Sequence, residues 1–317
     1  MYKCFIIFSL MLWKNTTANI SMNNDTSFIE TKIILRTKTG QIFGTLTTPK
    51  VFKKIPVALI ISGSGPTDRD GNSPTFKNDC LKILSHALSD NNIASLRFDK
   101  RAIAESKEAG KSEIDLRFDD YVNDAKEWIE LLRTHKQFSK IIVIGHSEGS
   151  LIGMIAAISA DKFISIAGAG QPADKTLKEQ LSSQPKVVQD LLFPIIDSLK
   201  NGRPVDNVDP MLNSLFRPSI QPYMISWFKY DPQTEIKKLK IPILILQGTN
   251  DIQVSVEDAK RLATANPISK LVLLENVNHI FRKVIGDRQE NIKTYSDPSL
   301  PIDKGLADNI ISFILTQ

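Results

Sequence analysis

The feature that most constrains the fold is the motif Gly-His-Ser-Glu-Gly at residues 145–149. Residues 141–144 before it are Ile-Ile-Val-Ile, which is typical of a strand buried on both faces. Residues 151–157 after it are apolar and rich in alanine, which favours a buried helix. A strand, a sharp turn and a helix in this order form a nucleophile elbow, where flanking glycines avoid collisions with the neighbouring strand and helix. The pattern predicts that Ser147 is a nucleophile held above a sheet, with a helix N-terminus beneath it that favours developing negative charge.

Other apolar runs predict the rest of the sheet. Thr39-Gly40 separates two β-rich segments, which indicates an N-terminal antiparallel hairpin. Later strands alternate with helical patterns, so we expect an α/β fold with a mostly parallel sheet flanked by helices. The predicted strands are residues 31–36, 41–47, 55–62, 93–98, 141–144, 163–166, 241–246 and 271–274, and the predicted helices are 77–88, 121–132, 256–265 and 306–315.

Residues 171–237 interrupt this pattern. They contain prolines, helical stretches and an aromatic cluster that includes Tyr223 and Trp227, but no strand-like apolar run. We predict a helical cap over the carboxyl edge of the sheet, inserted into a core formed by residues 29–170 and 238–317.

The N-terminus resembles a secretory signal. A short basic start, Met1-Tyr2-Lys3, precedes an apolar run from Cys4 to Trp13, and small residues follow at 16–18. We predict a signal peptide over residues 1–18, a polar linker over 19–28 and a secreted or periplasmic protein. The alternative is an uncleaved segment that anchors the chain to a membrane.

Composition excludes several classes of protein. The chain has 317 residues, 42% of them hydrophobic, which is enough for a sizeable core and argues against disorder. Its net charge of +5 comes from scattered basic residues, so no nucleic-acid partner is expected. Loss of residues 1–18 would leave Cys80 as the only cysteine and preclude an internal disulfide. The four histidines have no metal-ligand spacing, and no dinucleotide motif is present, so no metal or cofactor is expected.

A serine nucleophile needs a base, and only four histidines can be considered. His86 and His135 fall in or at the end of predicted helices, and His146 sits in the elbow beside the serine, where a neighbour normally points elsewhere. His279 follows the last predicted strand, at the carboxyl edge where Ser147 is expected. We therefore predict that His279 is the general base and acid.

A catalytic imidazole also needs a carboxylate to fix its tautomer. Asp251 follows the predicted strand 241–246 at the same edge and precedes His279, in the chain order Ser, Asp, His. It could instead cap the following helix, although Ser255 would serve that helix equally well. Glu275 is the weaker alternative carboxylate.

An oxyanion needs two preorganised donors. One is expected to be the backbone N–H of Glu148, the residue after the nucleophile. The other should come from Gly63-Ser64-Gly65 after the strand 55–62, where Ser64 is the first choice and Gly65 the second. This stretch lacks the Gly-Lys-Ser/Thr and the immediate helix of a phosphate-binding loop.

Four stretches together resemble the α/β-hydrolase superfamily. They are Ser-Gly-Ser-Gly-Pro-Thr-Asp-Arg-Asp-Gly-Asn at 62–72, Asp-Lys-Arg at 99–101, the elbow at 145–149, and Gln-Gly-Thr-Asn-Asp at 247–251. Within it they resemble bacterial serine carboxylesterases with a helical cap, of the dienelactone-hydrolase and prolyl-oligopeptidase-like branch. The resemblance spans residues 29–317. Such proteins usually carry glycines after Asp-Lys-Arg, where this chain has Ala102 and Ala104.

The resemblance and the predicted triad imply a serine hydrolase that cleaves carboxylic esters through an acyl-enzyme on Ser147. The aromatic cap favours a neutral small-molecule acyl substrate with a short to medium chain, contacted by Gly65, Arg69, Tyr223 and Trp227. Arg69 could equally form a structural pair with Asp70. The alternatives are a thioesterase, amidase or peptidase with the same triad, or a ligand-binding protein without turnover. The oligomeric state is left open.

Overall fold

The computed structural model describes residues 27–110 and 112–316. One eight-stranded sheet organises them, in the strand order β1-β2-β4-β3-β5-β6-β7-β8. β1 pairs antiparallel with β2 and β2 with β4, whereas every other neighbouring pair is parallel. The strands are β1 Phe28–Thr37, β2 Gly40–Pro49, β3 Ile55–Ile61, β4 Ala94–Phe98, β5 Phe138–His146, β6 Lys162–Ile166, β7 Ile243–Gly248 and β8 Lys270–Leu274.

Helices cover both faces of the sheet, because the central strands are apolar on both sides. Along β3, Leu59 belongs to the apolar cluster on one face and its neighbour Ile60 to the cluster on the other. Trp128 joins the first cluster and Ile310 the second. The helices are α1 Cys80–Ser89, α2 Phe118–Thr134, α3 Glu148–Ala156, α4 Ala173–Leu181, α5 Lys186–Lys200, α6 Asn213–Phe216, α7 Gln221–Trp227, α8 Pro232–Lys238, α9 Val256–Ala265, α10 Arg288–Lys293 and α11 Lys304–Leu315.

The fold class predicted from the sequence is confirmed, and all eight predicted strands are present. The strand boundaries differ by at most two residues, except at the starts of two strands, where they differ by three. β1 begins at Phe28, which the prediction assigned to the linker, because this residue pairs with Pro49. β5 begins at Phe138, three residues before the apolar run, because Phe138 pairs with Ile55. The predicted signal peptide and most of the linker lie outside the described residues. No helix in the described part of the chain is long and apolar enough to cross a membrane.

The stretch from 171 to 237, here called the helical segment, connects β6 to β7 and contains α4 to α7 and most of α8. Its buried residues, among them Leu192, Phe216 and Tyr223, are continuous with the apolar cluster that includes α2 and α3. A hydrogen bond of 2.8 Å from the Phe118 backbone N–H to Ser226 Oγ joins the start of α2 to α7. The helical segment therefore packs on the same face of the sheet as the helix that follows the Gly-x-Ser-x-Gly motif.

Gly149 lets α3 approach β3, and we expect Gly149→Ala to destabilise the fold. A Cβ there would lie 2.3 Å from the Ile61 carbonyl oxygen and 2.6 Å from that of Ser62, and backbone atoms cannot rotate away. The free energy of unfolding should fall by about 3 kcal/mol, at the upper end of the usual overpacking cost. Urea unfolding would measure it. Gly286→Ala is the matched control, because the nearest atoms there belong to the side chain of Glu290; equal destabilisation by both changes would contradict the prediction.

Candidate active site

Ser147 lies at a strained turn between β5 and α3. Its backbone has φ 56° and ψ −121°, a conformation that a residue with a side chain rarely adopts. Its N–H donates to the Ile166 carbonyl at the end of β6 over 2.9 Å, which ties the turn to the neighbouring strand. The residue is partly exposed, and its hydroxyl has no hydrogen-bond partner among the described residues. The side chain is thus presented at the carboxyl edge of the sheet, as the elbow pattern predicts.

His279 and Asp251 meet at the same edge, although 28 residues separate them in the chain. Asp251 follows β7, His279 follows β8, and His279 Nδ1 lies 2.8 Å from Asp251 Oδ2. Both side chains are almost fully buried. The other oxygen, Asp251 Oδ1, accepts the backbone N–H groups of Gln253 and Val254 over 2.8 and 3.0 Å. These bonds hold the carboxylate in place, and a carboxylate on Nδ1 leaves Nε2 available for proton transfer.

The Asp251 carboxyl stays ionised in this environment. Burial raises its pKa, but the charge of His279 and the hydrogen bonds to His279 and the two backbone amides outweigh burial, so the pKa lies below its usual value. Glu275, the alternative carboxylate, is exposed and makes no hydrogen bond to His279 in the described structure. The geometry therefore favours Asp251 over Glu275 as the partner of His279.

His146, which the sequence pattern does not favour as a catalytic base, lies against His279. The two ring centroids are 4.7 Å apart, and His146 Nε2 lies 2.9 Å from the His279 carbonyl oxygen. A carbonyl can only accept, so Nε2 carries the proton. Burial and the charge of His279 lower the pKa of His146 to about 3, which keeps the ring neutral. His146 thus fixes the backbone of His279 beside the elbow. In the sequence, only the position of His146 next to Ser147 points to a role near the nucleophile.

The loop after β3 lies against the nucleophile. A Cβ added to Gly63 would be 3.2 Å from Ser147 Cβ, so the glycine permits the close approach. The backbone N–H groups of Ser64 and Glu148 have no acceptor among the described residues. Glu148 is the first residue of α3, whose N–H cannot be satisfied within the helix. Two unpaired donors on segments that flank Ser147 can bind a developing oxyanion.

The Glu148 side chain is buried between two partners. Lys100 Nζ donates to Oε2 over 2.9 Å, and the Tyr223 hydroxyl donates to Oε1 over 2.6 Å. Lys100 Nζ also donates to the Gly63 carbonyl over 2.6 Å. Burial and the Glu148 charge raise the pKa of Tyr223, so its hydroxyl remains a donor. The sequence places Lys100 in the Asp-Lys-Arg motif but does not indicate these contacts.

Comparison with known proteins agrees with this architecture. The model of the family Hydrolase_4, described as "Serine aminopeptidase, S33", matches residues 79–282, which is more than half of the chain. The chain belongs to this α/β-hydrolase family. Over 288 residues it is 25% identical to esterase EstD of Thermotoga maritima, a match that covers 86% of this chain and 65% of EstD. The chain therefore spans just under two thirds of the length of that relative.

Solved esterase structures share the fold at low sequence identity. Est1E from Butyrivibrio proteoclasticus with bound ferulic acid superimposes with a TM-score of 0.61 at 16% identity, covering 90% of this chain and 100% of Est1E. Esterase Pf2001 of Pyrococcus furiosus gives a TM-score of 0.56 at 14% identity, covering 92% of this chain and 93% of Pf2001. These similarities establish the α/β-hydrolase fold.

The residues predicted to contact substrate in this α/β-hydrolase occupy different surroundings. Gly65 is exposed with φ 72°, and a Cβ there would meet nothing within 4 Å. Tyr223 is buried with its hydroxyl on Glu148, and Trp227 stacks on Phe118 with centroids 6.2 Å apart. Arg69 is bound to the carboxylates of Asp99 and Glu105, with its Nη2 2.6 Å from Asp99 Oδ2. Their roles in substrate binding remain predictions.

Arg69 and Asp70, adjacent in sequence, do not pair with each other. Arg69 binds the carboxylates named above, and Asp70 accepts from Arg97 of β4. Both residues lie in the middle of a turn that the Gly71 N–H closes by donating to the Asp68 carbonyl over 3.2 Å, and their side chains leave this turn toward different partners. The contacts of Arg69 favour a structural role for its guanidinium.

Two alanines in the loop after β4 adopt glycine-like conformations. Ala102 has φ 68° and Ala104 has φ 44°. A left-handed conformation costs a residue with a Cβ about 1–2 kcal/mol. The loop after β4 is nevertheless held by its buried charges, since Asp99 binds Arg69 and Arg101 binds Asp124. Contacts of the preceding charged residues thus hold a loop conformation that the alanines alone would disfavour.

Proposed function

We propose that this protein is a serine hydrolase that cleaves carboxylic esters of short to medium acyl chain length through an acyl-enzyme on Ser147. The observation that carries the proposal is the buried hydrogen bond between Asp251, in the loop after β7, and His279, in the loop after β8. Both loops lie at the same edge of the sheet as the strained turn at Ser147. The esterase EstD is similar in sequence, and Est1E and Pf2001 are similar in fold.

The proposed reaction follows from the position of each group. Ser147 Oγ attacks the ester carbonyl carbon while His279 Nε2 takes its proton, and Asp251 stabilises the resulting imidazolium. The Ser64 and Glu148 N–H groups bind the oxyanion. His279 then returns the proton to the departing alcohol as its C–O bond breaks. Water, deprotonated by His279, attacks the acyl carbonyl, and His279 passes that proton to Ser147 Oγ as the acid leaves. The Ser147 hydroxyl makes no bond to His279 in the structure, and contacts of this kind often tighten only when substrate is bound.

The proposed role of the helical segment is that of a cap. Its Tyr223 hydroxyl donates a hydrogen bond to the Glu148 side chain at the start of α3. The rings of Tyr223 and Trp227 pack around Phe118. An aromatic cap favours a neutral acyl group over a charged one. We further propose the branch of capped bacterial carboxylesterases and export from the cytoplasm, or membrane anchoring, as the N-terminal sequence indicates.

Labelling by a fluorophosphonate tests the nucleophile. The wild type should be labelled stoichiometrically and should hydrolyse p-nitrophenyl esters, whereas Ser147→Ala should lose both labelling and turnover, because the attacking oxygen is gone. Ser182→Ala is the matched control, since Ser182 is exposed in the helical segment and its hydroxyl bonds only to the Glu179 carbonyl. Undiminished labelling of Ser147→Ala would overturn the assignment, and an unlabelled, inactive wild type would favour a ligand-binding protein.

The family description gives a specific reason to test a peptidase as the second candidate, with a thioesterase and an amidase as related alternatives. All of these would use the same triad and differ in the leaving group. We expect p-nitrophenyl esters to be turned over with a higher kcat/KM than aminoacyl p-nitroanilides or acyl thioesters, with an optimum at short to medium acyl chains. A higher kcat/KM for the anilides would replace the esterase proposal by a peptidase.

A further inference from the structure

We infer that Lys100 is a positioning residue that orients both donors of the oxyanion hole, the backbone N–H groups of Ser64 and Glu148. The inference rests on the proposed function and concerns the loop after β4, whose Asp-Lys-Arg motif the reaction itself does not use. Lys100 Nζ reaches the Gly63 carbonyl and the Glu148 carboxylate at the same time, over 2.6 and 2.9 Å. Each of these partners belongs to one of the two segments that supply a donor.

The contact with Gly63 fixes the direction of the Ser64 N–H. The peptide bond between the two residues is planar and trans, so its C=O and N–H point in opposite directions. When Lys100 holds the Gly63 oxygen, the Ser64 N–H is aimed away from Lys100 and has no competing protein acceptor in the described chain. A glycine has an unusually free backbone, so without this contact the peptide could rotate.

The contact with Glu148 anchors the second donor. The N–H of Glu148 is the donor, and its own side chain is clamped by Lys100 on one oxygen and by Tyr223 on the other. All three side chains are buried, which strengthens hydrogen bonds between them and excludes water as a substitute. Lys100 also lies over the Tyr121 ring, 5.0 Å from its centroid, which restricts the position of its amine.

This arrangement predicts a specific kinetic signature. The donors act on the oxyanion of the transition state, so their displacement should lower kcat with little effect on KM. Removal of one oxyanion donor costs about 10²–10³ in kcat, and we expect Lys100→Met, which loosens two donors without deleting either, to lower kcat about 10²-fold.

The test compares Lys100→Met with wild type on a p-nitrophenyl ester, with every rate expressed per fluorophosphonate-titrated site. The inhibition constant of a trifluoromethyl ketone, which Ser147 Oγ converts to a tetrahedral hemiketal oxyanion, should rise by the same factor as kcat/KM falls. Lys100→Met/Glu148→Gln is the second variant, because it leaves no buried carboxylate without its cation and keeps the protein foldable. It should show the same loss, because the Gly63 carbonyl is still released.

Lys162→Met is the matched control. Lys162 is also a buried lysine that donates to backbone carbonyls, those of Phe313 and Thr316 over 2.6 Å each, but it lies at the opposite end of β6 from the elbow. Its kcat per titrated site should stay within about twofold of wild type, even if its melting temperature falls. The inference is overturned if either Lys100 variant keeps wild-type kcat and ketone affinity per titrated site, or if Lys162→Met loses as much. Failure of the proposed function is distinct, because the wild type would then neither be labelled nor turn over esters.

Discussion

Replacing His279 with alanine should lower kcat for a p-nitrophenyl ester by about 10⁶-fold, the scale measured when a serine hydrolase loses its base. The hydroxyl of Ser147 cannot attack efficiently unless its proton is removed. The neighbouring His146 is a poor substitute, because burial and the charge of His279 lower its pKa to about 3 and its Nε2–H is already donated to the His279 carbonyl. Stopped-flow and long-time assays of the purified variant would measure the residual rate.

His135→Ala is the control for this change. His135 ends α2 and its ring packs on Phe138, 5.7 Å between centroids, away from the elbow. This variant should retain full kcat. Residual activity of His279→Ala above about one hundredth of wild type would mean that another base acts, since a lost base normally costs far more.

A change at His146 distinguishes a residue that positions the base from the base itself. His146 contacts the backbone carbonyl of His279 and packs against the His279 ring. In the described structure it makes no hydrogen bond to the His279 ring nitrogens, which transfer the proton. Removal of the His146 side chain should displace His279 but leave the base in the site. The fall in kcat should therefore be much smaller than for His279→Ala. The two histidines are thus distinguishable even though they lie in contact.

The sheet and the candidate triad were predictable because their signals are local or ordered along the chain. The apolar runs mark each strand, and the carboxyl ends of parallel strands meet at one edge, which brings residues 147, 251 and 279 to that edge. Each of these residues directly follows a strand or lies in the loop after one. Topology alone therefore relates them, with no knowledge of side-chain packing.

The roles of Lys100 and His146 could not be predicted in this way. The Lys100 amine reaches partners 37 and 48 residues away, and the His146 ring reaches a carbonyl 133 residues away. Such contacts depend on how loops from different strands pack together, and residue type alone does not predict them. His146 illustrates the difficulty, because its place next to the nucleophile made a separate role look improbable.

Replacing Asp251 with asparagine should lower kcat about 10⁴-fold, less than loss of the base but far more than loss of a structural contact. The amide can present its NH₂ to Nδ1, which favours the tautomer with the proton on Nε2, so the ring could no longer accept the Ser147 proton. Glu275→Gln is the matched control, and because Glu275 is exposed it should leave kcat unchanged. A large loss for Glu275→Gln, with Asp251→Asn nearly normal, would reverse the assignment of the carboxylate.

The same substitution has a predictable effect on stability against pH. The pKa of Asp251 in the folded protein is lowered: burial acts to raise it, and the charge and hydrogen bonds of His279 with the two backbone amides outweigh burial. A carboxyl whose folded pKa is depressed stabilises the fold above its unfolded pKa of about 4, and this contribution is lost as pH falls through the folded value. Asp251→Asn should therefore lower the free energy of unfolding near pH 7, and the difference from wild type should shrink below pH 4. Urea unfolding at both pH values measures it; a difference that grows on acidification would contradict the assigned pairing of Asp251 with His279.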